Sequence, residues 1–344
     1  MPVIPGPGQA LGGNRAALGP GPGLQHVEQR EPHRLLDLGV AVDLDVGPVP
    51  ERVEVGPLPG QPAGPPGRGG LGPVALGAPA EVKRFAPYID DSIIRGVFYT
   101  PGVGVVDSLR AGTMTRERGQ ADGTITVSAK TEVLGIDVEH GRVRRVHTTN
   151  GDVDTEAVVI ACGVWSPRIA RMAGAHIPLT PAVHQMIDVG PVPRFAGAKS
   201  DIEFPIVRDM DTNMYERQAG GDLEIGSYAH RPILYDPEDI PPIEKAALSP
   251  TEFPFTQADF EIQMQHALEL MPEIVGDDKV GVKYNINGIL SLTPDGMPIL
   301  GESPDVKGLW AAAAVWVKEG PGTGQAIAEG MVRGESGLDP HSAD

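Results

Sequence analysis

Three glycines at alternating positions, Gly320, Gly322 and Gly324, lie where the backbone could bind a ligand. They follow a predicted buried strand over 308–317 and precede a predicted helix of small residues that starts near Gln325. The first N–H groups of a helix are unpaired and lie at the positive end of its dipole, so they can hold an anionic or carbonyl group. The same glycines are also typical of a tight loop in any α/β domain.

Two histidines are candidates for proton chemistry. His184, in the segment TPAVHQM, lies on an apolar predicted strand, and a neutral imidazole there can accept a hydrogen bond or a proton. A single histidine on such a strand more often has only a structural role. His230, in SYAHRP, is a rival candidate because the neighbouring Arg231 is suited to binding a carboxylate.

The glycines sit in one of two α/β pieces that flank a sheet-rich middle. In the first piece, the apolar run AVVIA over 157–161 predicts a buried strand, and the helix SPRIARMAG follows it. Trp165 comes just after this strand, at the end where open α/β sheets bind ligands. Upstream, three further strands are predicted over 124–129, 132–139 and 142–149, the last two joined by a tight turn at residues 140–141.

The middle of the chain, residues 177–283, predicts a largely antiparallel sheet with a hairpin at Gly220 and Gly221. Its one clear helix is predicted to begin at a capping box over 256–259. The helix carries an apolar face that we interpret as core, comprising Phe260, Met264, Ala267, Leu268 and Met271. The overall fold class is therefore α/β (α+β), with a cofactor domain built from both ends and a substrate domain inserted between them.

Composition narrows the classes of partner. The chain has 344 residues and a formal net charge of −18, which argues against nucleic acid or an anionic membrane surface as partner. Its single cysteine, Cys162, excludes an internal disulfide. We find no run of 18 apolar residues and no secretory signal, and we assign no metal ligands. These features predict a cytoplasmic location.

The first 80 residues differ from the rest, with 17 glycines and 15 prolines and no periodic apolar pattern. We expect this segment not to fold. Its mixture of Gly and Pro with Arg, Leu and Val is typical of GC-rich DNA translated in a wrong frame or strand. The alternative is a genuine disordered tail, although such tails are usually richer in Ser, Lys, Glu and Gln. Aligning the nucleotide sequence in all six frames would decide between the two.

From about Glu81 onward, the chain resembles a known family. The segments TEVLGIDVEHGRVRRVHTTNGDVDTEAVVIACGVWSPRIARMAG and TPDGMPILGESPDVKGLWAAAAVWVKEGPGTGQAIAEGM are similar to FAD-dependent amine oxidoreductases related to D-amino-acid oxidase, especially the dimethylglycine and sarcosine dehydrogenase or oxidase branch. The resemblance implies an FAD/NAD(P)-binding Rossmann-like domain with an inserted substrate domain. The implied division is 1–80 unmatched, 81–176 and 284–335 cofactor domain, 177–283 substrate domain, and 336–344 a junction.

Members of this family begin with a strand, a GxGxxG loop and an acidic residue, which together hold the ADP part of FAD. Nothing before Glu81 matches this unit, so the retention of FAD is an open question. The final residues, SGLDPHSAD, resemble the junction that leads into the folate-binding domain of longer members. We therefore expect this chain to contain neither the complete ADP-binding unit nor that domain.

The resemblance implies roles for particular residues. The stretch containing Lys318, Glu319, Gly320, Gly322 and Gly324 would lie beside the flavin ring, with the helix N-terminus stabilising the negative charge of reduced flavin. Four other positions correspond to contacts elsewhere on FAD, and a packing role is the alternative at each. Val133 would contact the adenine through its backbone, and Ala161, Gly163 and Trp165 would lie near the ribityl and pyrophosphate.

On the substrate side, His184 and Tyr215 match the active-site histidine and tyrosine of the dimethylglycine branch. The implied reaction is oxidation of an N-methylated glycine, dimethylglycine or sarcosine, by hydride transfer from a C–H bond to FAD N5. The electrons would go on to oxygen or to a carrier protein. Two other functions stay open, a truncated or misassigned gene product without stable FAD and a non-catalytic amino-acid-binding module. The exact substrate and the oligomeric state are also open.

Overall fold

The computed structural model describes residues 34–38, 75–100, 105–242, 245–246 and 249–337. The strands are β1 (Arg34–Leu38), β2 (Ala75–Gly77), β3 (Ile94–Tyr99), β4 (Val133–Glu139), β5 (Arg142–Thr148), β6 (Val153–Asp154), β7 (Val158–Ile160), β8 (Thr180–Gly190), β9 (Val207–Asp209), β10 (Met214–Ala219), β11 (Asp222–Ser227), β12 (Gly281–Leu292), β13 (Ile299–Glu302) and β14 (Leu309–Ala313). The helices are α1 (Val82–Phe85), α2 (Ser108–Ala121), α3 (Ser166–Met172), α4 (Gln257–Leu270), α5 (Pro272–Val275) and α6 (Gly320–Arg333).

The larger sheet has the strand order β12-β8-β11-β10-β9-β1-β3-β2. Its strands from β12 to β9 pair antiparallel, and β10 and β11 form a hairpin across Gly220 and Gly221. The antiparallel middle sheet and its hairpin are thus confirmed. Residues alternate between buried and partly exposed along β8 and β10, so the sheet has one covered face and one open face.

Helix α4 covers one face of this sheet, and Phe260 and Leu270 on the helix are fully buried in the core with Ile187, Leu223 and Ile225 of the strands. The predicted apolar face of α4 is wrong at one position, because Leu268 is 42% exposed.

The predicted capping box at the start of α4 is also wrong. The Thr256 side chain makes no capping bond to the helix, and its hydroxyl instead donates to Gln185 Oε1 at 3.2 Å. Gln185 Oε1 also accepts from the Thr256 N–H at 2.8 Å, while Gln185 Nε2 donates to the Thr256 carbonyl at 3.3 Å. The buried Gln185 amide therefore ties the start of α4 to the sheet.

Two smaller sheets form the second part of the fold. Strands β13, β14 and β7 make one, in which β14 and β7 run parallel, and β4, β5 and β6 make the other. The predicted turn at residues 140–141 joins β4 to β5 as expected. The strand predicted over 124–129 is wrong, because those residues are irregular and exposed and Ile125 is 42% exposed. No strand among the described residues pairs with this segment, and the N–H groups of Thr124 and Ile125 donate instead to the Gly119 carbonyl oxygen of α2.

Helix α2 was not anticipated from the sequence. Asp107 caps its N-terminus by accepting from the Arg110 N–H at 2.9 Å. Only Gly119 of its 14 residues is buried, and Leu109 is 84% exposed. An apolar periodicity therefore could not reveal it, because the helix buries almost no apolar face.

Most of the first 80 residues lie outside the described residues, but two short strands do not. β1 pairs parallel with β3 and antiparallel with β9, and β2 pairs antiparallel with β3. The expectation that nothing before residue 81 folds is therefore wrong for these stretches, whose backbone groups are satisfied by β3. The domain boundaries stay predictions. No helix in the described residues has the length and apolar character that a membrane crossing requires.

Candidate active site

A hydrogen-bonded histidine and tyrosine lie on the open face of the larger sheet. His184 on β8 and Tyr215 on β10 are separated by β11, and their Nε2 and Oη atoms are 2.7 Å apart. The strand between them carries Gly226 opposite Tyr215. A Cβ atom at that position would lie 2.3 Å from both Cζ and Oη of Tyr215. A glycine is therefore required for the tyrosine to cross β11 and reach the histidine.

Both members of the pair are electrically neutral near pH 7. Burial lowers the pKa of His184 from 6.5 to about 4, and nearby His230, whenever its ring is protonated, acts in the same direction. Burial also raises the pKa of Tyr215 well above its ordinary value of 10. The pair therefore consists of an imidazole with a lone pair and a phenol that keeps its proton, a combination able to accept and donate hydrogen bonds to a polar ligand.

Two neighbours of this pair were missed from the sequence. The ring of Tyr228 stacks on His184 with centroids 4.2 Å apart and an angle of 16° between the planes, and it is 39% exposed. Arg208 lies opposite Tyr215 in the β9–β10 register. Burial raises the pKa of Tyr228, and the positive charge of Arg208 opposes that rise. Only strand register brings these side chains together, so no local sequence pattern could have identified them.

The rival carboxylate site at Arg231 is not supported. Its Nε donates to Asp259 Oδ1 at 2.9 Å and its Nη2 to Oδ2 at 3.4 Å, so the first turn of α4 already neutralises the guanidinium. His230 Nδ1 lies 2.7 Å from the Arg231 carbonyl oxygen. His230 therefore remains near the site, whereas Arg231 has a structural partner.

The residues expected to face FAD lie at another edge of the fold. The parallel strands β7 and β14 are each followed by a 3₁₀ turn, at Gly163–Trp165 and Val317–Glu319, and then by α3 and α6. The carboxyl ends of parallel strands meet at one edge, so the turns that follow β7 and β14 leave the sheet at the same edge. Carboxyl edges of this kind are where open α/β sheets bind ligands.

Helix α6 begins at Gly320 rather than near Gln325, so the three glycines lie in its first turns and not in a preceding loop. Pro321, near the start of the helix, favours this earlier beginning because its φ angle is already helical and its missing N–H is not needed there. A Cβ atom at Gly320, Gly322 or Gly324 would meet no atom within 4 Å in the described structure. The bare first turns and their backbone N–H groups thus fit a flat, electron-rich group such as a flavin ring. Lys318 Nζ lies 3.1 Å from Glu319 Oε1.

The other two residues predicted to contact the cofactor, Val133 and Trp165, lie apart from each other and from the glycines of α6. Val133 is the first residue of β4, in a different sheet, and packs, partly buried, against an apolar cluster that includes Ile136, Val143 and Ile160. Trp165 packs against Val164, Ile240 and Ile289, between the parallel strands and the larger sheet. The packing alternative therefore has direct support at both positions, and their cofactor roles stay predictions.

Two surface cavities and the metal-ligating side chains of the described residues were compared with the position of the His184 and Tyr215 pair. Two surface cavities of about 510 and 400 Å³ lie away from His184, one lined by charged residues of β4 and β5 and the other beside Pro191 and Phe195. Within the described residues, no group of three or more His, Cys, Asp or Glu side chains is arranged to hold a metal ion.

Residues 66–330 match the family described as DAO, FAD dependent oxidoreductase. The chain belongs to this family. It is 30% identical over 275 residues to the mitochondrial sarcosine dehydrogenase of Homo sapiens, covering 78% of this chain and 28% of that protein. It is 24% identical over 272 residues to the mitochondrial dimethylglycine dehydrogenase of Rattus norvegicus, covering 76% and 30%. The chain therefore spans less than a third of these relatives.

The fold is also similar to a solved structure, L-proline dehydrogenase from P. horikoshii. The TM-score is 0.64 at 23% identity, and the match covers 77% of this chain and 66% of that chain. The family resemblance and the fold class predicted from the sequence are thus confirmed.

Proposed function

We propose that this chain is an FAD-dependent amine oxidoreductase whose substrate is a small N-methylated glycine of the sarcosine or dimethylglycine type. The observation that carries the proposal is the neutral His184 and Tyr215 pair on the open face of the larger sheet. Similarity to sarcosine and dimethylglycine dehydrogenases supports the substrate class.

His184 and Tyr215 would act on the amino group of the substrate. Amine oxidation requires a free nitrogen lone pair, so the ammonium must lose a proton before the adjacent C–H bond breaks. The lone pair of neutral His184 can accept a hydrogen bond from that ammonium. Because the pKa of His184 is about 4, the imidazole would orient the amine and pass the proton onward rather than hold it near pH 7.

Arg208 would bind the substrate carboxylate, since its charge already acts on both Tyr215 and Tyr228. When bound, FAD supplies the two-electron acceptor. The residues that would hold its ring are Lys318, Glu319 and the glycines of the first turns of α6, whose N–H groups favour negative charge. Oxygen or a carrier protein as final acceptor, and a cytoplasmic location, belong to the same proposal.

Purified protein tests the proposal directly. A yellow preparation whose flavin absorbance bleaches anaerobically on addition of sarcosine or dimethylglycine is the expected result. In His184→Asn, the flavin spectrum should persist while bleaching slows at least about tenfold, as expected for loss of one hydrogen bond to a charged group. A colourless preparation, or a flavin that neither amine reduces, would contradict the proposal for this chain.

A further inference from the structure

Two buried imidazole nitrogens near the proposed substrate site lack a hydrogen-bond partner among the described residues. They are Nδ1 of His184 and Nε2 of His230. A buried polar atom without a partner destabilises the folded protein, so native proteins rarely contain one without a functional reason. The two atoms belong to different segments, β8 and the loop after β11, so one local distortion does not explain both.

The loop after β11 folds back over His184. β11 ends at Ser227, which pairs with Gln185, and Tyr228 then stacks on the His184 ring. The chain returns at Ile233, whose carbonyl oxygen accepts from the Val183 N–H at 2.9 Å. His230 lies in the middle of this excursion, which starts and ends beside the residues that flank His184. The effect of His230 on the pKa of His184 agrees with this proximity.

The hydrogen bonds of the two rings determine what each free nitrogen can do. The Arg231 carbonyl oxygen can only accept, so in the neutral His230 ring the proton is on Nδ1 and the lone pair is on Nε2. Tyr215 Oη can accept from His184 Nε2–H at 2.7 Å, which leaves a lone pair on His184 Nδ1 as well. In this arrangement the site offers two buried acceptors, and the Tyr215 hydroxyl proton remains available to a carboxylate.

We propose that His184 Nδ1 and His230 Nε2 accept the two N–H bonds of a secondary ammonium, so that the site prefers an N-monomethyl amino acid to an N,N-dimethyl one. This inference rests on the proposed function and specifies its substrate class. A tertiary ammonium has one N–H and would leave one acceptor unpaired. A quaternary ammonium has none and would leave both unpaired.

The loss of one such hydrogen bond should weaken binding at least about tenfold, the factor that corresponds to 1.4 kcal/mol. Calorimetric titration at pH 7.5 with sarcosine, N,N-dimethylglycine and glycine betaine provides a series with two, one and no N–H bonds. Affinity should fall at each step of this series. In protein labelled with ¹⁵N-histidine, sarcosine should shift the resonances of His184 Nδ1 and His230 Nε2, whereas betaine should not.

His230→Phe removes one acceptor and keeps an aromatic ring. We expect its affinity for sarcosine to fall at least about tenfold and its affinity for dimethylglycine to change less than about threefold, so the preference disappears. Retained dimethylglycine binding in this variant also shows that it folds. His147→Phe on β5 is the matched control, because His147 contacts Asp137 and Asp152 outside the site.

Equal affinities for sarcosine and dimethylglycine in the wild-type protein would overturn the inference. An equal loss of affinity for both ligands in His230→Phe would also overturn it. In either case anaerobic reduction of the flavin by these amines would still support the proposed function. If no ligand in the series binds and none reduces the flavin, both the proposed function and this inference are wrong.

Discussion

Replacing Gly226 with alanine should disrupt the hydrogen bond between His184 and Tyr215 although neither of these residues is substituted. The new Cβ would lie 2.3 Å from Cζ and Oη of Tyr215, whereas carbon atoms at optimal contact are about 3.5 Å apart. The ring must therefore move by about 1 Å or more. A movement of that size extends the 2.7 Å separation of Oη and Nε2 beyond hydrogen-bonding distance.

The expected cost is the sum of two effects. Overpacking a well-packed site costs about 1–3 kcal/mol, and loss of a neutral hydrogen bond costs about 1 kcal/mol. We therefore expect Gly226→Ala to lower the free energy of unfolding by about 2–4 kcal/mol in urea titrations followed by circular dichroism. The variant should also bind sarcosine more weakly.

A double-mutant cycle isolates the cause. In a Tyr215→Ala background the clash is absent, so Gly226→Ala should cost less than about 1 kcal/mol. Gly281→Ala, in β12 of the same sheet, is the matched control because its Cβ would meet no atom within 4 Å. A cost for Gly226→Ala that is the same with and without Tyr215, or equal to that of Gly281→Ala, would refute this reasoning.

Four other perturbations have defined outcomes. Burial holds the pKa of His184 near 4 in the folded state, against about 6.5 in the unfolded state. The contribution of neutral His184 to the unfolding free energy should therefore be complete above pH 6.5 and be lost, by about 3 kcal/mol, as the pH falls to 4. Urea titrations across this range measure the decline, which should be flatter in His184→Asn. Gln185→Leu removes the acceptor of the Thr256 N–H, whereas the Thr256 carbonyl keeps its bond from the Asp259 N–H. The variant should lower the unfolding free energy by about 1–3 kcal/mol in the same assay, and a neutral effect would contradict the role of Gln185 at α4. The Cβ of Gly322→Ala would meet no atom of the described residues within 4 Å, so the variant should gain about 0.5–1 kcal/mol of stability. It should nevertheless reduce the flavin absorbance of purified protein, and unchanged flavin content would remove Gly322 from the cofactor site. The backbone amides of α2, over 108–121, should exchange with deuterium much faster than those of α4, because a helix of 14 residues that buries little surface is only marginally stable in water. Hydrogen exchange followed by mass spectrometry measures this difference. Equal protection of the two helices would show that another surface covers α2 in solution.

Local patterns in the sequence determined several elements correctly. Turn residues identified the β4–β5 hairpin and the hairpin at Gly220 and Gly221, because those conformations depend on adjacent residues alone. The motifs around β7 and α6 were sufficient for the family, as the match over 66–330 confirms. The local pattern gave a wrong prediction at the 124–129 segment, where no strand of the described residues pairs with it. It was also wrong at the Thr256 capping box, where Gln185 binds the threonine instead.

The tertiary structure alone decided how the candidate site is assembled. Tyr215 and Tyr228 contact His184, and Arg208 lies opposite Tyr215, only because the register of β8, β9, β10 and β11 aligns these residues. The same register places Gly226 where the tyrosine must cross. Pairing Arg231 with Asp259 likewise required the packing of α4. Side-chain type is local information, whereas register depends on hydrogen bonds between strands far apart in the chain, so the sequence identified the chemical groups and only the fold determined which of them meet.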